Sequence, residues 1–504
     1  MRATFGVVRS TVSIVFRGSA MATDSVSCIA NVAGPCNHCD RVRTIGSTNL
    51  TREPFMAGDA LPPSQIPGPP SGQDGAEAIM AAGGLHNYQL KLHAEYGPVA
   101  RLPLPGGQEA VSIADPVLLE ATAQINKRPE KLFEFLAPLQ ESGNLQTIPA
   151  EEHGPWRRVM LSVLAGRPSH EAHFAAFTEL TTELADEWER RAAEGPVALQ
   201  KDLSELSLRM ICEYALGSGL ESAGDAGRVV SAFEDVLTAY LAQQYTPGAD
   251  DDPAASSLAY LRSCVDRVLA AHRGRGGGNA ERSDLIGALA ASGESPARIR
   301  DTVLMTMLAA HHTTGVAISW TLYLLARHPK VARRVADEVD RVLGDRAAPA
   351  YADLKELAYL DAALRETMRL YPPGPYGARE ATEDLRLGDY TVPAGTVIFY
   401  PFWAVHMNPE YWPDPEVFDP DRFTNGSSAG RHRLAYIPFG LGPRSCEGAA
   451  LAMIEAQLVL AILLKRFEFH LSPGQNVTPV ERFVLWAAED ITMNLTPREP
   501  APIG

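Results

Sequence analysis

Three short stretches of the chain combine residue types that can do chemistry. The first is Phe439-Gly-Leu-Gly-Pro-Arg-Ser-Cys-Glu-Gly448, which sets Cys446 between glycines at the start of the apolar run AALAMIEAQLVLAILLKRF. A cysteine in the first turn of a helix faces unpaired N–H groups and the positive end of the macrodipole, and both favour thiolate. Such a sulfur is a nucleophile or a metal ligand; a cysteine buried for packing is the plainer alternative. Gly440, Gly442 and Gly448 permit tight turns and the close approach of something flat, and Arg444 offers a cation to an anionic group. The second stretch is His311-His312-Thr313-Thr314, a polar quartet inside Val303 to Ala326, which has no Asp, Glu, Lys or Arg. The third is Glu366-Thr-Met-Arg369, whose charges share one helical face before Pro372 and Pro373 stop the helix.

The elements that must hold these residues follow from periodicity. YGPVARLPLPGGQEAVSIADPVLL alternates around a Gly-Gly turn and predicts a β-hairpin, helical periodicity dominates from Pro116, and LRLGDYTVPAGTVIFYPFW predicts a second small strand region. The fold class is therefore mainly α with small β-sheets. The uncharged segment is long enough to span a bilayer, but its polar centre fits a helix running through the core of a large protein, and no transmembrane span is expected.

Composition narrows the function classes. With 45 Lys+Arg against 61 Asp+Glu the formal net charge is -16, which argues against nucleic acid as a partner. Six cysteines are too few and too irregularly placed for a disulfide framework, so a reducing, cytoplasmic setting is expected. Cys36-Asn-His-Cys39 has zinc-like spacing without a second pair, and Cys212 and Cys264 fall in amphipathic helical patterns as packing residues. Residues 1–67 are polar and irregular, start with an arginine-bearing, acid-free segment, and close on LPPSQIPGPP; they read as a disordered or targeting-like tail ahead of one domain over 68–500.

In this order and spacing the stretches resemble the cytochrome P-450 family of haem-thiolate monooxygenases, over nearly the whole of that domain. Phe439, Gly442, Arg444, Cys446 and Gly448 match the family's haem-binding signature. Glu366 and Arg369 match its Glu-x-x-Arg helix, and Arg422 in Phe418-Asp-Pro-Asp-Arg422-Phe423 matches the arginine that joins that pair in a structural network. The uncharged helix matches the long central helix over the haem. The resemblance implies haem b (iron protoporphyrin IX), with Cys446 as the thiolate on iron and Phe439 beside it. It implies that the glycines, Gly448 among them, admit the porphyrin and aim N–H groups at sulfur. Arg444, His153, Arg157 and Arg379 are expected at the propionates.

The family's oxygen-activating pattern, Ala/Gly-Gly-x-Asp/Glu-Thr, appears here as Ala309-Ala310-His311-His312-Thr313. Thr313 keeps the hydroxyl used in oxygen activation, His312 stands where the acid is expected and becomes the candidate proton relay, and His311 is expected to be a core histidine. Ala310 in place of glycine is expected to narrow the notch.

The activity implied is insertion of one oxygen atom from O2 into a small apolar substrate, lipid, terpenoid or steroid-like. No flavin or iron–sulfur pattern remains in the chain, so electrons are expected from a separate ferredoxin or flavodoxin-type donor with its reductase, steered by Arg431-His432-Arg433 and Arg157-Arg158. Peroxide-driven or isomerase-type chemistry, for which Thr313 is not needed, and a non-catalytic haem-binding sensor are the alternatives. Pocket walls are expected at Phe133 to Phe135, beside TPGADDDP, at Pro373 to Tyr376 and near Trp486.

Overall fold

The computed structural model describes residues 65–498, apart from 134–139, 217–227, 230, 237–238, 240–251, 275–284, 425, 427–428 and 483. The tail cysteines, Phe135 and most of TPGADDDP lie outside the described residues. At the start of the described chain Ile66 is buried. There the Arg101 guanidinium donates from Nε to the Pro69 carbonyl at 3.1 Å, and its backbone N–H donates to Pro67 at 2.7 Å.

Helices α1 (Ala76–Ala82) and α2 (Leu85–Tyr96) lead into strands β1 (Val99–Pro103) and β2 (Glu109–Ile113), then α3 (Pro116–Thr122). Next come α4 (Ala150–Leu164), α5 (Arg167–Ala192), β3 (Val197–Ala198), α6 (Leu199–Leu216), α7 (Asp252–Gly274) and α8 (Leu285–Ala291). The central helix α9 (Pro296–Arg327) is followed by α10 (Pro329–Leu343) and α11 (Ala358–Leu370). Strands β4 (Gly377–Glu380), β5 (Leu385–Leu387), β6 (Tyr390–Val392) and β7 (Val397–Tyr400) precede α12 (Phe402–His406). The chain closes with α13 (Ala449–Arg466) and β8 (Phe467–Leu471), β9 (Pro479–Arg482), β10 (Val484–Ala487) and β11 (Thr492–Pro497).

The predicted hairpin is β1 against β2, in register from Val99 opposite Ile113 to Pro103 opposite Glu109. It forms half of a four-stranded sheet in the order β1-β2-β7-β4, with β2 and β7 parallel. The antiparallel register of β4 on β7 sets Arg379 opposite Ile398, which fixes where that guanidinium leaves the sheet. The second strand region, expected over LRLGDYTVPAGTVIFYPFW, is β5 to β7.

Helix α9 starts where Ser295 accepts a hydrogen bond from the Arg298 N–H, with Pro296 in the first turn, a capping pattern that satisfies an orphan donor where proline costs nothing. It is buried on nearly every side, as the absence of charge in its second half requires. No described helix is long and apolar enough to cross a membrane. Contact with α6 is close enough to demand glycine at 315, since a Cβ there would stand 2.7 Å from the Leu203 carbonyl carbon. Cys212 and Cys264 are buried packing residues with free thiols.

The Glu366–Arg369 pair on α11 is wholly closed to water. Arg369 donates from Nε and Nη2 to the two carboxylate oxygens at 2.8 and 2.7 Å, in the fork geometry that suits a guanidinium. Its remaining donors reach the carbonyls of His406, Pro415 and Val417. Arg422 approaches Glu366 at 3.3 Å, so the structure joins all three residues of the expected network. Removing one partner from a buried pair strands the other charge, at a cost of about 3–5 kcal/mol, against a typical total stability of roughly 5–15 kcal/mol. Arg369→Ala is therefore expected to lower the thermal unfolding midpoint sharply and to reduce the yield of folded protein. An unfolding curve matching the wild type would show that the pair contributes nothing to stability.

Candidate active site

The site is built from the loop before α13, the middle of α9, the start of α4 and the end of β4. Cys446 lies ahead of α13, whose cap is Gly448, so it precedes the helix instead of occupying its first turn. Its backbone N–H donates to the Phe439 carbonyl at 2.8 Å, closing the loop, and the Gly448 N–H points at the sulfur. The sulfur is open to an internal cavity yet enclosed by protein on its other sides. Burial, and then Glu447, push the thiol up to about 11, outweighing Gly448 and Arg157, which pull the other way. The helix end alone therefore does not make the thiolate expected from the sequence; a coordinated cation would, because a ligating thiol is deprotonated outright.

Gly442 serves a different purpose from the one its place in the motif implies. It adopts φ +67°, and a Cβ would fall 1.8 Å from the Ala123 carbonyl oxygen, so the glycine admits a neighbouring backbone.

The cavity has a volume of about 340 Å³, within the usual range of roughly 300–1,000 Å³ for small-molecule sites. Phe439, Cys446 and Gly448 line one part of it, and Thr313 and Ala309 of α9 line another. Pro373 and Tyr376 line it as expected, whereas Trp486 is not among its walls and packs on His312. Leu145 and Gln146 reach it from a loop held by Asp301, a buried residue of α9. The Asp301 Oδ2 accepts from the backbone N–H groups of Glu141, Ser142 and Gly143 at 2.8, 2.6 and 3.1 Å.

Cations converge on the cavity. Arg128, Arg379 and Arg444 line it, and His153 and Arg157 stand one turn apart on α4, which the Trp156 indole ties to Thr302 of α9 at 3.2 Å. Arg444 is engaged by the carbonyls of Asn126, Leu145 and Ile148 at 2.8, 2.6 and 3.1 Å. Arg379 donates to Ala378 and Leu441 at 2.7 and 3.3 Å. Arg157 turns to the cysteine loop, donating to the Ser445 carbonyl at 2.7 Å and pairing with Glu447. Burial, and then repulsion from Arg379 and Arg444, lower Arg128 to about 9; burial and Arg379 lower Arg444 to about 10. Burial, then Arg444 and Arg157, depress His153 to about 3.

The fit to a porphyrin can be judged from these groups. Glu447 is the carboxylate that opposes the cluster, and Arg157 already holds it. Arg128 Nε and His153 Nε2 are buried without hydrogen-bond partners. Buried cations and orphaned donors of this kind are costly unless paired. Two propionates beside a thiol ligand complement them, so the residues present fit haem b. Arg128 carries no motif that marks it in the sequence; only the fold brings it here.

The residues at the oxygen end separate. Thr313 lines the cavity and its hydroxyl donates back to the Ala309 carbonyl at 2.8 Å, leaving the oxygen's lone pairs open to accept. Ala310 lines the cavity too, so a methyl group does stand in the notch. His312 is not brought to the cavity: it stacks on His311 with ring centroids 3.8 Å apart and meets Trp486 edge-on at 4.9 Å. Burial lowers His312 to about 4, and burial with His312 lowers His311 to about 2. Glu455 of α13 does line the cavity. Its signal in the sequence is visible in retrospect, as the lone acid in an apolar helix.

The buried histidines set an acid limit. His93 and His312 lie at about 4, and His153 and His406 at about 3. An unfolded histidine binds a proton below about 6.5. Between these values the unfolded chain therefore holds more protons than the folded one, and stability falls as pH falls. The unfolding midpoint of the haem-free protein is expected to drop steadily from about pH 6.5 downward. A flat midpoint down to about pH 4.5 would contradict the burial of neutral histidines.

Comparison with known proteins agrees with this geometry. The family model for cytochrome P450 matches residues 76–495. Rat cytochrome P450 4B1 is 31% identical over 352 residues, which cover 64% of this chain and 69% of that protein. Probable cytochrome P450 4d20 of Drosophila melanogaster is 40% identical over 207 residues, 41% of this chain, and the chain spans only 40% of that relative's length. Among solved structures, the cytochrome P450DA heme domain superposes with a TM-score of 0.77 at 25% identity, covering 88% of this chain and 99% of that one. With the thiol, the cation cluster and the central helix arranged around one cavity, the chain belongs to the cytochrome P450 family.

Proposed function

We propose that this protein takes two electrons from a separate redox protein and uses them to place one atom of O2 into an apolar substrate, the other atom leaving as water. The observation that carries the reading is the convergence of Cys446, the arginines and Thr313 on one apolar cavity. Haem b, when bound, supplies the iron at which O2 is reduced, with sulfur donation favouring O–O cleavage. Cys446 would hold the iron, and Arg128, Arg379, Arg444 and His153 would hold the propionates. Met160, Ile211 and Met305 give the cavity apolar walls suited to a lipid, terpenoid or steroid-like molecule.

The proposed donor is a ferredoxin or flavodoxin-type protein with an acidic docking face. Its target is smaller than the sequence implies. Arg431 stacks on Trp412 at 3.8 Å, and Arg157 is bound within the cysteine loop. Arg158 is exposed, as is Arg433, which pairs with Glu120 at 3.2 Å. A cytoplasmic setting belongs to the same proposal, supported among the described residues by the free thiols of Cys212 and Cys264.

The reduced protein is expected to give the red-shifted carbon monoxide band of a thiolate haem, and Cys446→Ser to lose it while staying folded. A variant that kept both band and turnover would remove Cys446 from the iron. A spin-shift screen of apolar and polar compounds tests the substrate class, and shifts from polar compounds alone would overturn it. Arg158→Glu should slow reduction by an acidic ferredoxin at low salt, the difference fading where the Debye length shrinks to about 8 Å. Equal reduction rates at low salt would exclude this docking face.

A further inference from the structure

Arg157, expected at a propionate, reaches past Cys446 and holds the residue on either side of it. Its Nη1 donates to the Ser445 carbonyl at 2.7 Å, its Nη2 donates to the Ser445 hydroxyl at 3.1 Å, and Nη1 also pairs with the Glu447 carboxylate. The Arg157 and Glu447 side chains are 15% and 14% exposed, so these charges are screened less than on an open surface. Glu447 lines the cavity together with Cys446 and Gly448. Its charge acts on Arg128, Arg379 and Arg444 and on the sulfur itself. At the sulfur the two partners oppose each other: the carboxylate disfavours the anion and the guanidinium favours it. Arg128, Arg379 and Arg444 have propionates to face once haem b is bound, whereas Glu447 and Arg157 already satisfy each other. An ion pair of this kind contributes little net stability, which leaves its field at the sulfur as its main effect.

We propose that Glu447 and Arg157 form a potential-setting pair for electron transfer into this site: the carboxylate, one residue from the sulfur that would ligate iron, disfavours the added electron, and Arg157 limits how far. One electron passes from the redox protein to the ferric haem, which becomes ferrous. No bond to Glu447 forms or breaks, and its charge acts only through space. The protein therefore calls for a donor of lower potential than a neutral residue at 447 would need. The inference rests on Cys446 as the iron ligand and not on the identity of the substrate.

The test is a spectroelectrochemical titration of the haem-loaded protein, with the carbon monoxide band of the reduced form read for each variant. Glu447→Gln keeps the size and an acceptor for Arg157 but removes the charge. It should favour the reduced haem about tenfold, an upward shift of about 59 mV in a one-electron couple. Glu447→Asp keeps the charge and should stay close to the wild type, a rescue that shape alone would not give. Arg157→Gln leaves the carboxylate unopposed and should shift the potential downward. Equal potentials for the wild type and Glu447→Gln, or the same shift in Glu447→Asp as in Glu447→Gln, would overturn the proposal. Should Glu447→Gln not take up haem, Arg157→Gln decides, and a potential at or above that of the wild type overturns the role. A wild type without the thiolate carbonyl band would remove the ligand assignment and the proposal with it, whereas an intact band with unmoved potentials removes only the role of the pair.

Discussion

Glu366 and Arg369 are both sealed from water, so each must find its partners inside the protein, and the way they do so sets the position of the cysteine loop. Arg369 fixes the carbonyls of His406, Pro415 and Val417, and Glu366 takes the Asp419 N–H at 3.0 Å. The segment gathered in this way is tied onward. His406 Nε2 accepts from the Ile437 N–H at 2.8 Å, and Trp412 donates from its indole to the Ala435 carbonyl at 3.0 Å. Ile437 is two residues from Phe439, whose carbonyl receives the Cys446 N–H. A buried ion pair is weak evidence for net stability. Its effect here is positional: it carries the geometry of α11 to the sulfur through backbone hydrogen bonds.

The cavity this creates is electrostatically uneven. Burial holds Cys446 protonated, while the arginines gathered around the same cavity depress one another. An iron porphyrin complements both, presenting a cation to sulfur and carboxylates to the guanidiniums. Neither set of groups is well placed for stability by itself, the pattern expected where function outweighs local packing. Arg444 and Arg157 shape the cavity as much as they charge it, because most of their donors brace the chain around it.

On the oxygen side the helix α9 presents Ala309, Thr313 and Thr314 to the cavity and turns the histidine pair into the core. Residues 312 and 313 are adjacent in sequence but about 100° apart around a helix of 3.6 residues per turn. A packed Trp486 on one side and an open notch on the other are enough to give them unrelated surroundings.

The sequence by itself determined what local physics can encode. The alternation around Gly106-Gly107 made the hairpin, the uncharged run made a core helix, and the Glu366–Arg369 spacing made a pair on one face. The spacing of Phe439, Gly442, Arg444, Cys446 and Gly448 was specific enough to identify the family. Tertiary structure decided what depends on which surfaces meet. Arg128 joined the cluster because a loop from before α4 folds against the cysteine loop, and Gly442 proved to accommodate Ala123. Cys446 lost the predicted benefit of the helix terminus because desolvation, which no motif records, outweighs one N–H and the Arg157 guanidinium. Glu455 was readable as an odd acid in an apolar helix, but its partner on α9 lies far away in sequence and only the packing of the two helices brings them together. Spacing fixes which residues share a face; burial and long-range neighbours fix what charge they carry there.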